Sequence, residues 1–148
     1  MAGLRRFIAG SGAERSAALL ALAMAPLVKL SLRGTGYRRT ARYLGRVALK
    51  PVPGLDQALE RTGAAHGAMR RLPFEMTCLE RSLVVWWLLG GDAAGSIRFG
   101  VAPGEDGKPP NFHAWVEVGG QPIDDGAEDI DSFLPLTPRQ MPELGRFE

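Results

Sequence analysis

The sequence contains little cysteine and little histidine: its 148 residues include one cysteine, Cys78, and two histidines, His66 and His113. A single cysteine excludes an internal disulfide, so the fold does not need an oxidising compartment and we expect a cytoplasmic location. The sequence also lacks a zinc-ligand spacing, a nucleotide-binding glycine pattern and an internal repeat. We therefore expect neither a metal nor a cofactor.

No uninterrupted apolar run reaches the roughly 20 residues that a membrane-spanning helix needs. The run Ala17–Val28 follows basic residues, as in a signal peptide, but Pro26 and Lys29 interrupt it and no small-residue cleavage site comes after it. We expect a packed amphipathic helix here and no membrane insertion.

A large net charge is also absent, since the total is +2, but the two halves of the chain differ. Residues 1–71 hold 13 basic and 3 acidic side chains, net +10, and residues 72–148 hold 5 and 13, net −8. The basic half could bind nucleic acid, anionic lipid or an acidic peptide or protein, or it could neutralise the acidic half of the same molecule. Composition alone leaves these alternatives open.

Hydrophobic spacing and turn residues predict helices first and strands second. We expect helices over 13–32, 37–49, 56–71 and 78–89, then strands over 96–102, 112–118 and 121–125. Gly119-Gly120 is a hairpin turn signal between the last two strands. The sequence thus predicts an α+β fold, with a basic helical region at 1–71 and, at 72–148, a helix packed on a small antiparallel sheet.

The segment Thr77-Cys78-Leu79-Glu80 fits a capping box, which makes Cys78 the first residue of a helix. Unpaired N–H groups and the positive end of the helix dipole favour a thiolate at that position, as a reactive cysteine requires. Further along the same helix, Trp86 and Trp87 point to different sides. We expect one of them in the core, and for the other a structural role and a place in the wall of a substrate groove both stay open.

A cysteine nucleophile needs a base, and His113, near the start of a predicted strand, is the candidate. His66 lies in a helical region rich in Gly and Ala, and we interpret it as a surface or packing residue. An acid must in turn orient the base. Asp124 and Asp125, across the predicted hairpin, are the two candidates.

Hairpin register decides between these two acids. A two-residue loop pairs Asp124 with Trp115, whereas a three-residue loop pairs Asp125 with Trp115. Either partner of Trp115 lies diagonal to His113 on one face of the sheet. Spacing alone leaves both open.

These residues resemble the lasso-peptide leader peptidases, stand-alone members of the transglutaminase-like (papain-like) cysteine protease superfamily. The similar segments are Thr77–Leu83, His113–Glu117 and Ile123–Asp125, together with the strand Ser96–Val101. They cover roughly the second half of the chain, and the first half is similar only in its helical character.

The resemblance implies a triad in which Cys78 attacks the peptide bond between leader and core, His113 shuttles the proton and Asp125 orients His113. Matching the family's hairpin favours Asp125 over Asp124. The chemistry implied is that of a cysteine protease, which passes through a tetrahedral oxyanion to a thioester that water hydrolyses. The backbone N–H of Cys78 is the candidate oxyanion donor.

The resemblance also implies the partners. The substrate is the leader of a precursor peptide, a separate leader-recognition protein presents it, and a separate ATP-dependent lasso cyclase closes the ring afterwards. No nucleic acid partner is expected. A basic helix face formed by Arg38, Arg39, Arg42 and Arg46 could dock the leader or a partner protein.

Two other functions remain compatible with these residues. An amine could resolve the thioester in place of water, as in transglutaminases and arylamine acetyltransferases. Alternatively, the chain could be a non-catalytic peptide-binding module that keeps the fold and uses its basic helices to hold a partner.

Overall fold

A computed structural model describes residues 10–123 and 129–137. The helices in these ranges are α1 (Gly12–Thr35), α2 (Tyr37–Arg46), α3 (Leu55–Met69) and α4 (Cys78–Leu89). The strands are β1 (Ser96–Ala102), β2 (Asn111–Val118), β3 (Gln121–Ile123) and β4 (Leu134–Pro135). The predicted α+β class, with helices before the sheet, is confirmed.

Helix α1 is longer than predicted and begins at a capping box of its own. The Ser11 hydroxyl accepts from the N–H of Glu14 at 3.2 Å, and the Glu14 carboxylate accepts from the N–H of Ser11 at 2.6 Å. Within the described ranges, α1, with its 24 residues, is the one helix that is long and apolar enough to cross a membrane, by length and composition only. The helix is longer than the apolar run because it continues through Pro26 and Lys29, and the expectation of no membrane insertion stays a prediction.

One face of α1 packs inside the molecule. Small side chains recur on it every three or four residues and pack against α3 and α4. They are Ala17, Ala21, Ala25 and Val28. The same hydrophobic cluster includes Leu83 of α4 and Val116 of β2, so residues from both sides of position 72 share one core.

Helix α4 lies at the centre of that core. All of its side chains are buried except those of Cys78 and Arg81, which are partly exposed. The indole N–H of Trp86 donates to the Gly95 carbonyl at 3.2 Å, and that of Trp87 donates to the Val47 carbonyl at 2.9 Å. Both tryptophans therefore belong to the interior, which agrees with the structural role and not with the alternative that one of them walls a groove.

The sheet is antiparallel, and its described strands follow the order β3-β2-β1-β4. Phe99 of β1 is opposite Ala114 of β2, and Val116 of β2 is opposite Ile123 of β3. Gly119 and Gly120 form a two-residue loop with φ of +59° and +78°. Positive φ at both positions is what a type I′ hairpin turn requires, and glycine adopts it without strain.

Strand β2 separates two packed layers because its side chains alternate between the faces of the sheet. Ala114 and Val116 join the cluster around α4. His113 and Trp115 lie on the other face, where Phe133 packs against the imidazole. A Cβ on Gly100 would come within 3.0 Å of Trp115 and 2.8 Å of Phe133, so glycine makes room for this second layer.

Candidate active site

Cys78 is the first residue of α4, as the sequence predicts, and its side chain is partly exposed. The capping box is present in both directions. The Thr77 hydroxyl accepts from the N–H of Glu80 at 3.2 Å, and the Glu80 carboxylate accepts from the N–H of Thr77 at 2.9 Å. These two bonds fix the first turn of the helix and leave the thiol at its positive end.

The first turn of α4 docks on the backbone of β2 at Ala114. The Ser82 hydroxyl donates to the Ala114 carbonyl at 2.9 Å in a buried environment, and the Cys78 thiol is hydrogen-bonded to the backbone of the same residue. In an antiparallel strand the N–H and C=O of one residue point to the same edge, in the plane of the sheet. The thiol therefore lies beside β2, at the edge away from β1. The described part of β3 pairs at this edge only with residues 116–118 of β2.

His113, one residue from this contact, is a partner of the thiol. Its side chain shares a hydrogen bond with Cys78 and is itself buried. The imidazole stacks on Trp115, with ring centroids 6.0 Å apart, and contacts the ring of Phe133 at 5.2 Å. The two aromatic rings hold the imidazole in place, so the predicted nucleophile and base are brought together.

The surroundings of Cys78 change the acidity of its thiol. Burial raises the pKa of the thiol, but four other effects outweigh it and bring the pKa below its usual value. In decreasing order they are the hydrogen bond to His113, a hydrogen bond from the backbone of Ala114, the charge on His113 and a hydrogen bond from the backbone of Leu79. A depressed thiol pKa distinguishes a reactive cysteine from a buried structural one.

The capping carboxylate has a partner of its own on a distant helix. The ammonium group of Lys29, on α1, lies 3.1 Å from Oε2 and 3.2 Å from Oε1 of Glu80. It also donates to the backbone carbonyl of Glu75 at 2.8 Å, in the segment that leads into α4. Helix α1 thus contributes a charge to the structure around the nucleophile.

The third member of the predicted triad, Asp125, and its alternative, Asp124, lie outside the described residues. The hairpin before them has a two-residue loop. With a loop of that length the strand register favours Asp124, whereas the family resemblance favours Asp125. The identity of the orienting acid therefore stays a prediction. No group of three or more His, Cys, Asp or Glu residues that could hold a metal ion occurs in the part of the chain that the structure describes.

A surface groove of about 540 Å³ lies beside the N-terminus of α4. It is lined by residues of the segment 69–76 and by Arg81. Its apolar lining includes Leu72, Phe74 and Met76, and Met76 is two residues before Cys78. Cys78 and His113 are not among the residues that line it.

Sequence reasoning missed two contacts at this site, those of Lys29 and Ser82. The capping box was predictable because its residues are three apart, whereas Lys29 and Glu80 are 51 residues apart and Ser82 and Ala114 are 32 apart. The one signal for Lys29 is a lone charge in an otherwise apolar helical segment. His66 is buried within α3, in agreement with its interpretation as a packing residue.

A family model described as the transglutaminase-like superfamily matches residues 21–137, about four fifths of the chain. The matched range includes α4 and β2 and most of α1. No curated protein and no solved structure matches the chain significantly.

Proposed function

The chain belongs to the transglutaminase-like superfamily, and on this premise we propose that it is a cysteine peptidase that removes the leader from a lasso-peptide precursor. Enzymes of this superfamily commonly work through a cysteine. The observation that carries the proposal is the Cys78 thiol, which is partly exposed, hydrogen-bonded to His113 and lowered in pKa at a capped helix N-terminus.

The proposed reaction uses these two side chains in sequence. His113 accepts the thiol proton as Cys78 Sγ attacks the carbonyl carbon of the last leader residue, which gives a tetrahedral oxyanion. The backbone N–H of Cys78 is the proposed donor to that oxyanion. The C–N bond then breaks, His113 gives its proton to the departing amine of the core peptide, and the leader stays on Cys78 as a thioester.

Water completes the cycle. His113 takes a proton from a water molecule that attacks the thioester carbonyl, and the C–S bond breaks to release the leader as a carboxylic acid. We assign Asp125 to orient His113, with Asp124 as the alternative. A carboxylate on the second imidazole nitrogen would stabilise the imidazolium that forms in both steps.

The substrate class is supported by the resemblance of the segments around Cys78 and His113 to the leader peptidases. The groove beside the N-terminus of α4, with its apolar and arginine lining, is compatible with a bound peptide. Separate leader-recognition and cyclase proteins belong to the same proposal. The four arginines of the basic helix face, on α2, are all exposed, which supports their proposed role in docking the leader or the protein that carries it; they are Arg38, Arg39, Arg42 and Arg46.

A cleavage assay tests the proposal. The neighbouring genes are searched for a precursor and a leader-recognition protein, these are incubated with the enzyme, and the products are identified by mass spectrometry. We expect the wild-type chain to release the core with a free amino terminus, and Cys78→Ala to lose more than about 10⁴-fold in rate while its circular dichroism is unchanged. Cleavage by Cys78→Ala at the wild-type rate would mean that Cys78 is not the nucleophile.

Acyl transfer is the second candidate, because the same thiol and imidazole would form the same thioester. The superfamily includes acyltransferases as well as cysteine proteases. An added primary amine separates the two functions. At low amine concentration a peptidase yields mainly the free leader acid, because water resolves its thioester, whereas an acyltransferase yields mainly the leader amide.

A further inference from the structure

We propose that Lys29 is a positioning residue for the Cys78 nucleophile, acting through the carboxylate of Glu80. The inference rests on the proposed role of Cys78, but not on the identity of the substrate. It assigns a function at the active site to helix α1, which contributes neither the nucleophile nor the base.

The three hydrogen bonds of Lys29 all end on the segment that carries Cys78. Its ammonium group donates to the Glu75 carbonyl at 2.8 Å and to the two Glu80 carboxylate oxygens at 3.1 and 3.2 Å. An ammonium group has three N–H donors, so this set uses its full capacity. Glu75 precedes Cys78 by three residues and Glu80 follows it by two, so one side chain holds the chain on both sides of the nucleophile.

Glu80 transmits this contact to the first turn of α4. Its Oε2 accepts a hydrogen bond from Lys29 and another from the backbone N–H of Thr77. Thr77 is the N-cap residue of this helix. The bond to Thr77 is strong because its acceptor is ionised. The capping bond therefore depends on Glu80 staying charged and staying in place.

Burial makes Lys29 necessary for the second of these conditions. The Glu80 side chain is 7% exposed and that of Lys29 is 17% exposed, so water solvates the pair poorly. The ring of Phe74 lies 5.7 Å from the ammonium nitrogen and covers it on one side. Without the cation, the buried carboxylate has no compensating charge and is drawn towards solvent, which weakens its bond to Thr77.

The position of Lys29 in the sequence supports a specific role. It is the only charged residue between Arg15 and Arg33, in an apolar segment whose exposed face includes Leu27 and Leu30. A lysine needed only for solubility would be solvated on that exposed face. Lys29 instead points towards Glu80 from a position next to the buried Val28.

The consequence concerns the alignment of the thiol. Loosening the first turn of α4 displaces Cys78 from the N–H groups of Leu79 and Ala114 and from His113, which together favour the thiolate. The thiolate fraction at neutral pH then falls. The loss should appear in kcat more than in KM, because Lys29 does not line the groove beside the N-terminus of α4.

Alkylation of the single thiol by iodoacetamide, followed against pH in the full-length chain, tests the inference without any substrate. Among the residues described, His113 is the charged group that acts on the thiol directly. Glu75, Glu80, Arg81 and Lys29 lie in, or contact, the first turn of α4 and the segment before it. We expect Lys29→Met to raise the midpoint by about one pH unit and to slow alkylation at neutral pH by up to about tenfold. Lys29→Arg keeps the cation and should restore most of the rate.

Two control variants separate positioning from general destabilisation. Val28→Ala removes buried volume from the same helix without touching Glu80, and Arg33→Met removes an exposed charge one turn further on. Both should titrate like the wild type. An upward shift in Val28→Ala equal to that in Lys29→Met would overturn the inference, because loss of stability alone would then explain it.

A double-mutant cycle tests whether the effect passes through Glu80. Glu80→Gln keeps a capping acceptor but removes the charge that Lys29 meets, so Lys29→Met should shift the midpoint little in that background. If Lys29→Met does not fold alone, Glu80→Gln/Lys29→Met is compared with Glu80→Gln, and the two should titrate alike. A shift of about one pH unit between these two variants would overturn the inference, because Lys29 would then act on the thiol without Glu80.

The outcome also distinguishes this inference from the proposed function. A wild-type thiol that titrates at the ordinary cysteine value would remove Cys78 from its proposed catalytic role. A wild-type thiol with a low midpoint, together with an unshifted and folded Lys29→Met, would leave the nucleophile in place and refute the role of Lys29 alone.

Discussion

Thr77 offers a test of the capping argument because its side chain can be changed without disturbing the core. Thr77→Val keeps the shape of the residue but removes the hydroxyl that accepts from the N–H of Glu80 at 3.2 Å. Loss of an N-cap acceptor costs about 1 kcal/mol of stability. For a domain of this size, that corresponds to a fall of about 3 °C in melting temperature. Thr77→Ser retains the hydroxyl and should melt within about 1 °C of the wild type.

A third variant at this position separates stability from reactivity. Thr77→Asp is an equally good cap, so its melting temperature should stay near that of the wild type. Its carboxylate, however, lies one residue from the thiol and disfavours the thiolate, so the alkylation midpoint should rise. Thermal melts and iodoacetamide titrations of the three variants provide both quantities. A stability of Thr77→Val equal to that of Thr77→Ser, or a Thr77→Asp thiol as reactive as the wild type, would refute the reasoning.

Three further predictions concern the neighbours of Cys78. Ser82→Ala leaves the buried Ala114 carbonyl without its 2.9 Å donor and should cost about 1 to 3 kcal/mol in chemical denaturation; an unchanged midpoint would show that the bond contributes nothing. The fold holds the pKa of the Cys78 thiol below its usual value, so the thiolate stabilises the folded wild type relative to Cys78→Ala. This extra stability should be complete above the pKa of the unfolded thiol and should be lost as pH falls through the lower pKa of the folded thiol. Thermal melts at stepped pH measure that difference, and a flat profile contradicts it. Asp125→Asn should lower kcat by about 10⁴-fold and Asp124→Asn much less; the reverse order would assign the triad to Asp124.

The elements that were predicted well are those set by local chemistry. Helix α4 has the predicted bounds because Thr77 and Glu80 begin it and Gly90 ends it, all within the segment itself. Strand β1 also has the predicted bounds, and β2 begins one residue earlier than expected. The pairing of Cys78 with His113 could be inferred because a nucleophile and a base are chemically complementary.

The features that could not be predicted depend on contacts between distant parts of the chain. Lys29 lies inside the predicted helix over 13–32, but its ion pair with Glu80 joins residues that are far apart in the sequence. Trp86 and Trp87 both lie inside because Gly95 and Val47 supply carbonyl acceptors from different segments. Neither local propensity nor helical periodicity contains this information.

The family is established, whereas the lasso-peptide substrate rests on similarity around the nucleophile and the base. The transglutaminase-like match covers residues 21–137 and therefore includes most of the helical first half, where the resemblance to the leader peptidases was weakest. The cytoplasmic location and the partner proteins stay predictions. The same applies to the functional division at residue 72.

The most direct test of the central claim is the intact mass of the enzyme after an acid quench during turnover of the precursor. The account predicts a covalent adduct on the wild-type chain equal to the leader minus one water, mapped by peptide digestion to Cys78 and absent from Cys78→Ala. Release of the core without any adduct at Cys78, or an adduct on another residue, would contradict it.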